Sequence, residues 1–193
     1  MKIPLNDSSR YRIQKTRIKL LDSLLFFHHR KINRSLKNLA KKYNTPGSKV
    51  LEIGAGTKGL SHKLLFDKAH FVATDIEMYS GISTIMDITN AQNMPDDSFD
   101  LIICMNVLEH ISNPQKALQE MHRILSKNGE LFLVTPFLFP VHDPPHDYYR
   151  YTEFALFKML NIFSKVAIEK TYVLLGFGLL ERWVLYYITY ATK

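Results

Sequence analysis

The stretch Lys49-Val50-Leu51-Glu52-Ile53-Gly54-Ala55-Gly56-Thr57-Lys58-Gly59-Leu60 constrains the fold more than any other. A short β-prone apolar run breaks directly into three glycines, and a helix-like segment follows from Leu60 to Phe66, so the reading is strand, glycine turn, helix. Gly54 permits a tight turn, Gly56 lets a ligand approach bare backbone, and Gly59 lets the helix lie close to the strand. Asp75, 21 residues after Gly54, ends a second apolar run from His70 to Thr74, where a carboxylate can accept hydrogen bonds from both hydroxyls of a ribose.

Glu52 decides between nucleotide cofactors. A carboxylate two residues before the first glycine repels a nicotinamide pyrophosphate, whereas it attracts an amino-acid ammonium group. Downstream, Asp87 ends another apolar segment (Ile82 to Met86), and Phe99-Asp100-Leu101-Ile102-Ile103-Cys104-Met105-Asn106-Val107-Leu108-Glu109-His110 follows. Taken in this order, VLEIGAG, ATDIE, MDI and FDLIICMNVLEHI resemble the motifs of the class I S-adenosylmethionine-dependent methyltransferase family, of the type 11-like kind, over about Lys49 to Gly129. The resemblance implies an α/β, doubly wound, mostly parallel Rossmann-like sheet with S-adenosylmethionine as cofactor. It places Gly54, Ala55 and Gly56 along the methionine end, with Glu52 near the ammonium group. Asp75 and Ile76 fall at the ribose, Asp87 and Ile88 at the adenine, and Met105 and Asn106 along the methyl-transfer channel.

Strands are expected at residues 50–53, 70–75, 83–87, 99–105, 130–136 and 166–175. Asn113-Pro114 opens a helix running to Asn128-Gly129, and Thr152 caps another from Glu153 to Leu160. No seventh strand is evident, because Gly176 to Thr192 looks helical. A membrane span over 172–191 is not expected: about a dozen apolar residues at roughly −0.3 to −0.6 kcal/mol each are offset by Glu181 and Arg182 at roughly +2.5 to +3.5 each. An interfacial or core-packed helix fits better, with Trp183, Tyr186, Tyr187 and Tyr190 on an aromatic side able to touch a bilayer.

Charge is concentrated at one end. Residues 1–43 carry twelve Lys/Arg against two Asp/Glu, a local +10, whereas the rest of the chain is at −3 within a total of +7. Apolar residues from Ile18 to Leu39 recur at helical spacing through this basic stretch, giving a helical cap over 1–44 ahead of a catalytic core over 45–193. Such a cap suits an anionic membrane surface; RNA is a further anionic partner it would tolerate. DNA is disfavoured, since the fourth strand lacks the Asn/Asp-Pro-Pro-aromatic stretch of amino-methylating DNA enzymes. The single cysteine, Cys104, excludes an internal disulfide, and the first ten residues have no apolar signal core, so a cytoplasmic location is expected.

The segment Phe137 to Thr152 is dense in His, Asp, Tyr and Arg beyond what packing requires. It resembles the HDYxRYT segment of a subset of methyltransferases acting on cell-envelope glycans and similar small or lipid-linked acceptors. His146 and His110 are candidate bases for an oxygen or nitrogen acceptor, with Asp147 or Glu109 orienting them. Arg150 suits bidentate anion recognition, and Tyr149 completes the candidate catalytic set. Glu109, His110, His142 and His146 offer metal-ligand chemistry, but adjacent Glu109 and His110 fall on different faces of a helix and no HxxE or HxxxH lies on a helix, so no metal is expected. Two other readings share parts of this pattern: a nicotinamide-dependent oxidoreductase, and a non-catalytic methyltransferase-like binding protein.

Overall fold

The computed structural model describes residues 27–58, 62–175 and 182–193. Gly59, Leu60 and the basic stretch before residue 27 lie outside the described residues. Helix α1 (Phe27–Tyr43) precedes strands β1 (Lys49–Ile53), β2 (His70–Asp75), β3 (Thr84–Ile85) and β4 (Phe99–Met105). Then follow α2 (Pro114–Ile124), β5 (Leu125–Leu138), α3 (Glu153–Met159), β6 (Lys165–Leu175) and β7 (Arg182–Thr192). The seven strands form one sheet in the order β3-β2-β1-β4-β5-β7-β6. The first five pair in parallel, and β7 runs antiparallel to both β5 and β6.

The seventh strand corrects the expectation of a C-terminal helix. Arg182–Thr192 inserts between β5 and β6, pairing Ile188 with Val134 on one side and Glu169 on the other. Tyr186 and Tyr187 point to opposite faces and are both buried. A strand buried on both faces has no polar stripe to give period 2, and short apolar runs of that kind read equally well as helix.

The helices begin where local chemistry places them. The Asn113 side chain accepts a hydrogen bond from the Lys116 N–H ahead of Pro114 at the first helical turn, and Thr152 accepts from the Ala155 N–H at the start of α3. Ala117, Leu118, Met121 and Ile124 form the buried stripe of α2. This helix stops at Ile124, four residues before Asn128, because Leu125 turns extended (φ −71°, ψ 132°) and pairs with Phe99.

Strand alternation divides the core into two layers. Leu51, Ile102, Cys104 and Leu133 face α2 and α3. On the opposite face, Val50, Leu101, Ile103, Phe132 and Ile188 pack against Ile32, Leu36 and Leu39 of α1. Outward cations of α1 are partly anchored: Lys31 Nζ meets Glu169 Oε2 at 2.9 Å, and Lys42 Nζ meets Glu130 Oε2 at 3.0 Å. Thus α1 lies across the body of the sheet. Among the described residues no helix is long and apolar enough to cross a membrane.

Candidate functional site

A cavity of about 630 Å³ opens where β1, β2 and β4 end, at the carboxyl edge of the parallel strands. That is the side on which doubly wound sheets hold ligands. The cavity lining includes Gly54, Asp75, Ile76, Asp87 and Ile88 together with Asn106, His110, His146 and Tyr148. Its carboxylates (Asp75, Glu77, Asp87, Asp143) suit a cationic ligand.

The glycine turn is braced from β2. Ala55 N–H donates to the Thr74 carbonyl at 3.0 Å, and Gly56 N–H donates to Asp75 Oδ2 at 2.8 Å. Gly54 (φ 65°) is doubly constrained: it takes a left-handed conformation, and a Cβ there would fall 2.2 Å from Val107 Cγ2. Ile76 is 70% exposed and offers an apolar surface to the cavity. Asp87 caps the 3-10 turn Ile88–Asn90 through one carboxylate oxygen, which accepts from Thr89 N–H and Oγ1–H, both at 2.8 Å. Glu52 is buried; Oε1 makes a very short contact to His62 Nδ1, and Oε2 has no hydrogen-bond partner among the described residues.

Not every residue expected at the cofactor reaches the cavity wall. Asn106, at φ 55°, lines it, whereas Met105 is carried by strand alternation to the opposite face, against the layer that includes α1. Ala55 is buried in that same layer.

The loop over the cavity is organised by Arg150, which corrects its expected place at a substrate anion. Its five N–H donors are occupied: Nη1 and Nη2 hold Asp147 Oδ1 and Oδ2 at 2.6 and 2.8 Å, and the rest reach the carbonyls of Phe139, Pro140 and Tyr149. The Arg150 hydrogen bonds hold the Asp147 carboxyl well below the usual carboxylate range, against an opposing push from burial. Tyr149 is likewise placed outside the candidate catalytic group: its hydroxyl donates to the Ser112 carbonyl at 3.0 Å and its ring stacks on Tyr151. His146 and His110 do line the cavity. His146 Nδ1 sits 2.9 Å from Tyr148 Oη, and His110 Nδ1 donates to the His146 carbonyl at 2.8 Å.

Glu109 is fully buried, among the described residues neither of its oxygens has a hydrogen-bond partner, and burial pushes its carboxyl up to about 7. The helix-face argument that separated it from His110 does not apply, because Leu108–His110 is a single 3-10 turn. Tyr148 and Val107 were not expected in these positions. Tyr148 was legible only as part of a tyrosine-rich loop, and nothing local in the sequence links Val107 to Gly54.

Among the described residues the features fit S-adenosylmethionine: an acid-lined cavity, an open approach at Gly56 where a side-chain carbon would meet no atom within 4 Å, and an unpartnered buried oxygen on Glu52. Residues 26–181 match the family described as the methyltransferase domain. The chain is 33% identical over 117 residues to the ubiquinone/menaquinone biosynthesis C-methyltransferase UbiE of Vibrio vulnificus, covering 51% of this chain and 45% of that protein. It is 28% identical over 112 residues to the ubiquinone biosynthesis O-methyltransferase of Pseudomonas syringae pv. tomato, covering 49% and 47%. The chain therefore spans about half the length of the curated relatives it matches. In fold it is similar to a SAM-dependent methyltransferase from Archaeoglobus fulgidus, with TM-score 0.63, 15% identity, and coverage of 91% of this chain and 99% of that one. With this cavity, this strand order and a family match over most of its length, the chain belongs to the methyltransferase-domain family, with the class I fold and S-adenosylmethionine as cofactor.

Proposed function

We propose that the chain transfers a methyl group to an oxygen or nitrogen of a small acceptor that enters beneath the loop 139–152. The observation that carries this reading is that one cavity is lined both by Asp75 and Asp87 and by His110, His146 and Tyr148. S-adenosylmethionine, when bound, supplies an electrophilic methyl group on a sulfonium, so the donor needs no activation by the protein.

The chain's own residues have three tasks. Glu52 and the Gly54–Gly56 backbone receive the amino-acid end, Asp75 the ribose, and Asp87 with Ile88 and Ile76 the adenine. Alignment is the largest contribution such a site makes, because displacement at carbon demands a near-linear approach. His146 is positioned to take the acceptor's proton, with Tyr148 Oη on its Nδ1 fixing the ring. His110 braces the loop by donating to the His146 carbonyl, and Arg150 keeps it folded through Asp147.

The names of the relatives cover both C- and O-methylation of quinone precursors, so similarity alone leaves the acceptor atom open; the two cavity histidines favour an acceptor that loses a proton. Leu138 and Val141, 51% and 78% exposed on the segment leading into the loop, support an acceptor with an apolar or lipid portion, such as a lipid-linked glycan. A nicotinamide-dependent oxidation is not favoured, since the acid-lined cavity would repel a pyrophosphate.

Calorimetry with S-adenosylhomocysteine tests the cofactor half. Binding is expected in the native chain and is weakened by Asp75→Ala, while His146→Ala leaves it nearly intact but lowers turnover in a screen of labelled S-adenosylmethionine against lipid, glycan and small-molecule fractions. No binding at saturating protein would refute the assignment.

A further inference from the structure

Three electron-rich atoms converge beside the cavity. Glu109 Oε1 lies 3.9 Å from His110 Nε2 and 4.0 Å from His142 Nε2, and the three ligand atoms fall within 4.8 Å of one another. The two rings meet edge to face, with centroids 4.7 Å apart. Both histidines are set to present a lone pair. His110 Nδ1 donates to the His146 carbonyl, so its Nε2 is bare in the neutral ring. His142 Nδ1 faces two acceptors, the Pro140 carbonyl at 3.2 Å and Asp147 Oδ2 at 3.3 Å, while Arg150 Nη2 approaches it less closely, at 3.4 Å. The Nε2 of His142 is therefore bare as well.

Glu109 supplies the independent observation. It is fully buried, and among the described residues neither carboxylate oxygen has a hydrogen-bond partner. Buried carboxylates are normally paired or bound to metal. A proton on Glu109 would satisfy one oxygen and one nitrogen, leaving the second imidazole facing nothing. A single cation would satisfy all three.

We propose that Glu109, His110 and His142 bind one divalent first-row transition cation at the wall of the methyl-transfer cavity. A set of two imidazoles and one carboxylate suits zinc, iron, manganese or cobalt rather than magnesium or calcium, which prefer oxygen throughout. Bonds of about 2.0–2.2 Å require the three donors to close by up to roughly 1 Å, within the reach of side-chain rotation. The supporting groups are in place: the His146 carbonyl orients His110, and Asp147, clamped by Arg150, orients His142. His110 already lines the cavity, so open coordination positions face the acceptor. A cation there draws in an acceptor hydroxyl and lowers its pKa, which narrows the acceptor to oxygen. This role rests on the methyl-transfer reading; the cation site itself does not.

The test is titration of cobalt(II) into the chelator-stripped full chain, followed by visible ligand-field absorption. Saturable binding of one cobalt per chain is expected. His142→Ala and, separately, the shape-conserving Glu109→Gln each weaken it by at least roughly tenfold, with metal-free circular dichroism unchanged. Absence of a ligand-field band in the folded native chain, or equal cobalt affinity in both folded variants, overturns the proposal. Calorimetry with S-adenosylhomocysteine on the same stripped protein reads the cofactor assignment separately, since the cation residues are distinct from Asp75 and Asp87.

Discussion

Gly54 carries two constraints that substitution can separate. Its φ of 65° disfavours any side chain, and the space a Cβ would take is held by Val107. Gly54→Ala is expected to destabilise the chain by roughly 1–3 kcal/mol in chemical denaturation, and to weaken S-adenosylhomocysteine binding. Adding Val107→Ala relieves the clash but not the backbone strain, so the double variant should regain only part of the loss. The residues whose place at the cavity was readable in the sequence were those positioned by local spacing: Gly54, Asp75 and Asp87 on strand ends, and His110 and His146 in polar segments. Met105, Tyr149 and Arg150 were misplaced for a different reason. Which face a strand-end side chain takes, and whether five guanidinium donors are already occupied, depend on neighbours that arrive only on folding.

The loop from Phe139 to Thr152 behaves as an element in its own right, tied by the Asp147–Arg150 pair and by backbone N–H groups of Tyr148 and Tyr149 to the Glu109 carbonyl. Because the folded-state pKa of Asp147 is depressed, the stabilisation it brings is full above the unfolded value near 3.8 and is lost as pH falls through the lower folded value. Hydrogen exchange of the loop amides is therefore expected to stay slow at mild acidity and to accelerate only below about pH 4, whereas in Asp147→Asn it is fast at neutral pH as well. Among the regular elements, β1, β2 and β4 and the starts of α2 and α3 were legible, because apolar runs bounded by caps and turns are local signals. The end of α2 was not, since Leu125 is drawn into pairing with Phe99 across the sheet. Nor was β7: its apolar-aromatic run carries no periodicity that separates a strand buried on both faces from a helix.

Across the whole molecule, one sheet with two apolar layers holds everything in register, and β7 is the strand on which both layers depend. Tyr187 and Ala191 belong to the layer with α2 and α3; Tyr186 and Ile188 belong to the layer with α1. Ile188→Ala, at a fully buried position, is expected to cost about 2–5 kcal/mol in a denaturant midpoint measurement and to broaden the exchange protection lost in both β5 and β6. Substitution of an exposed α1 cation such as Lys37 should change stability by less than about 0.5 kcal/mol.

The antiparallel insertion has a temporal consequence. Among the described residues, strand β6 has no strand to pair with until Arg182–Thr192 exists, because β7 lies between it and β5. A nascent polypeptide halted before residue 182 would display the bare hydrogen-bonding flank of β5, an adhesive surface that solicits the wrong companion, so maturation of this enzyme waits on the ribosome delivering that late segment.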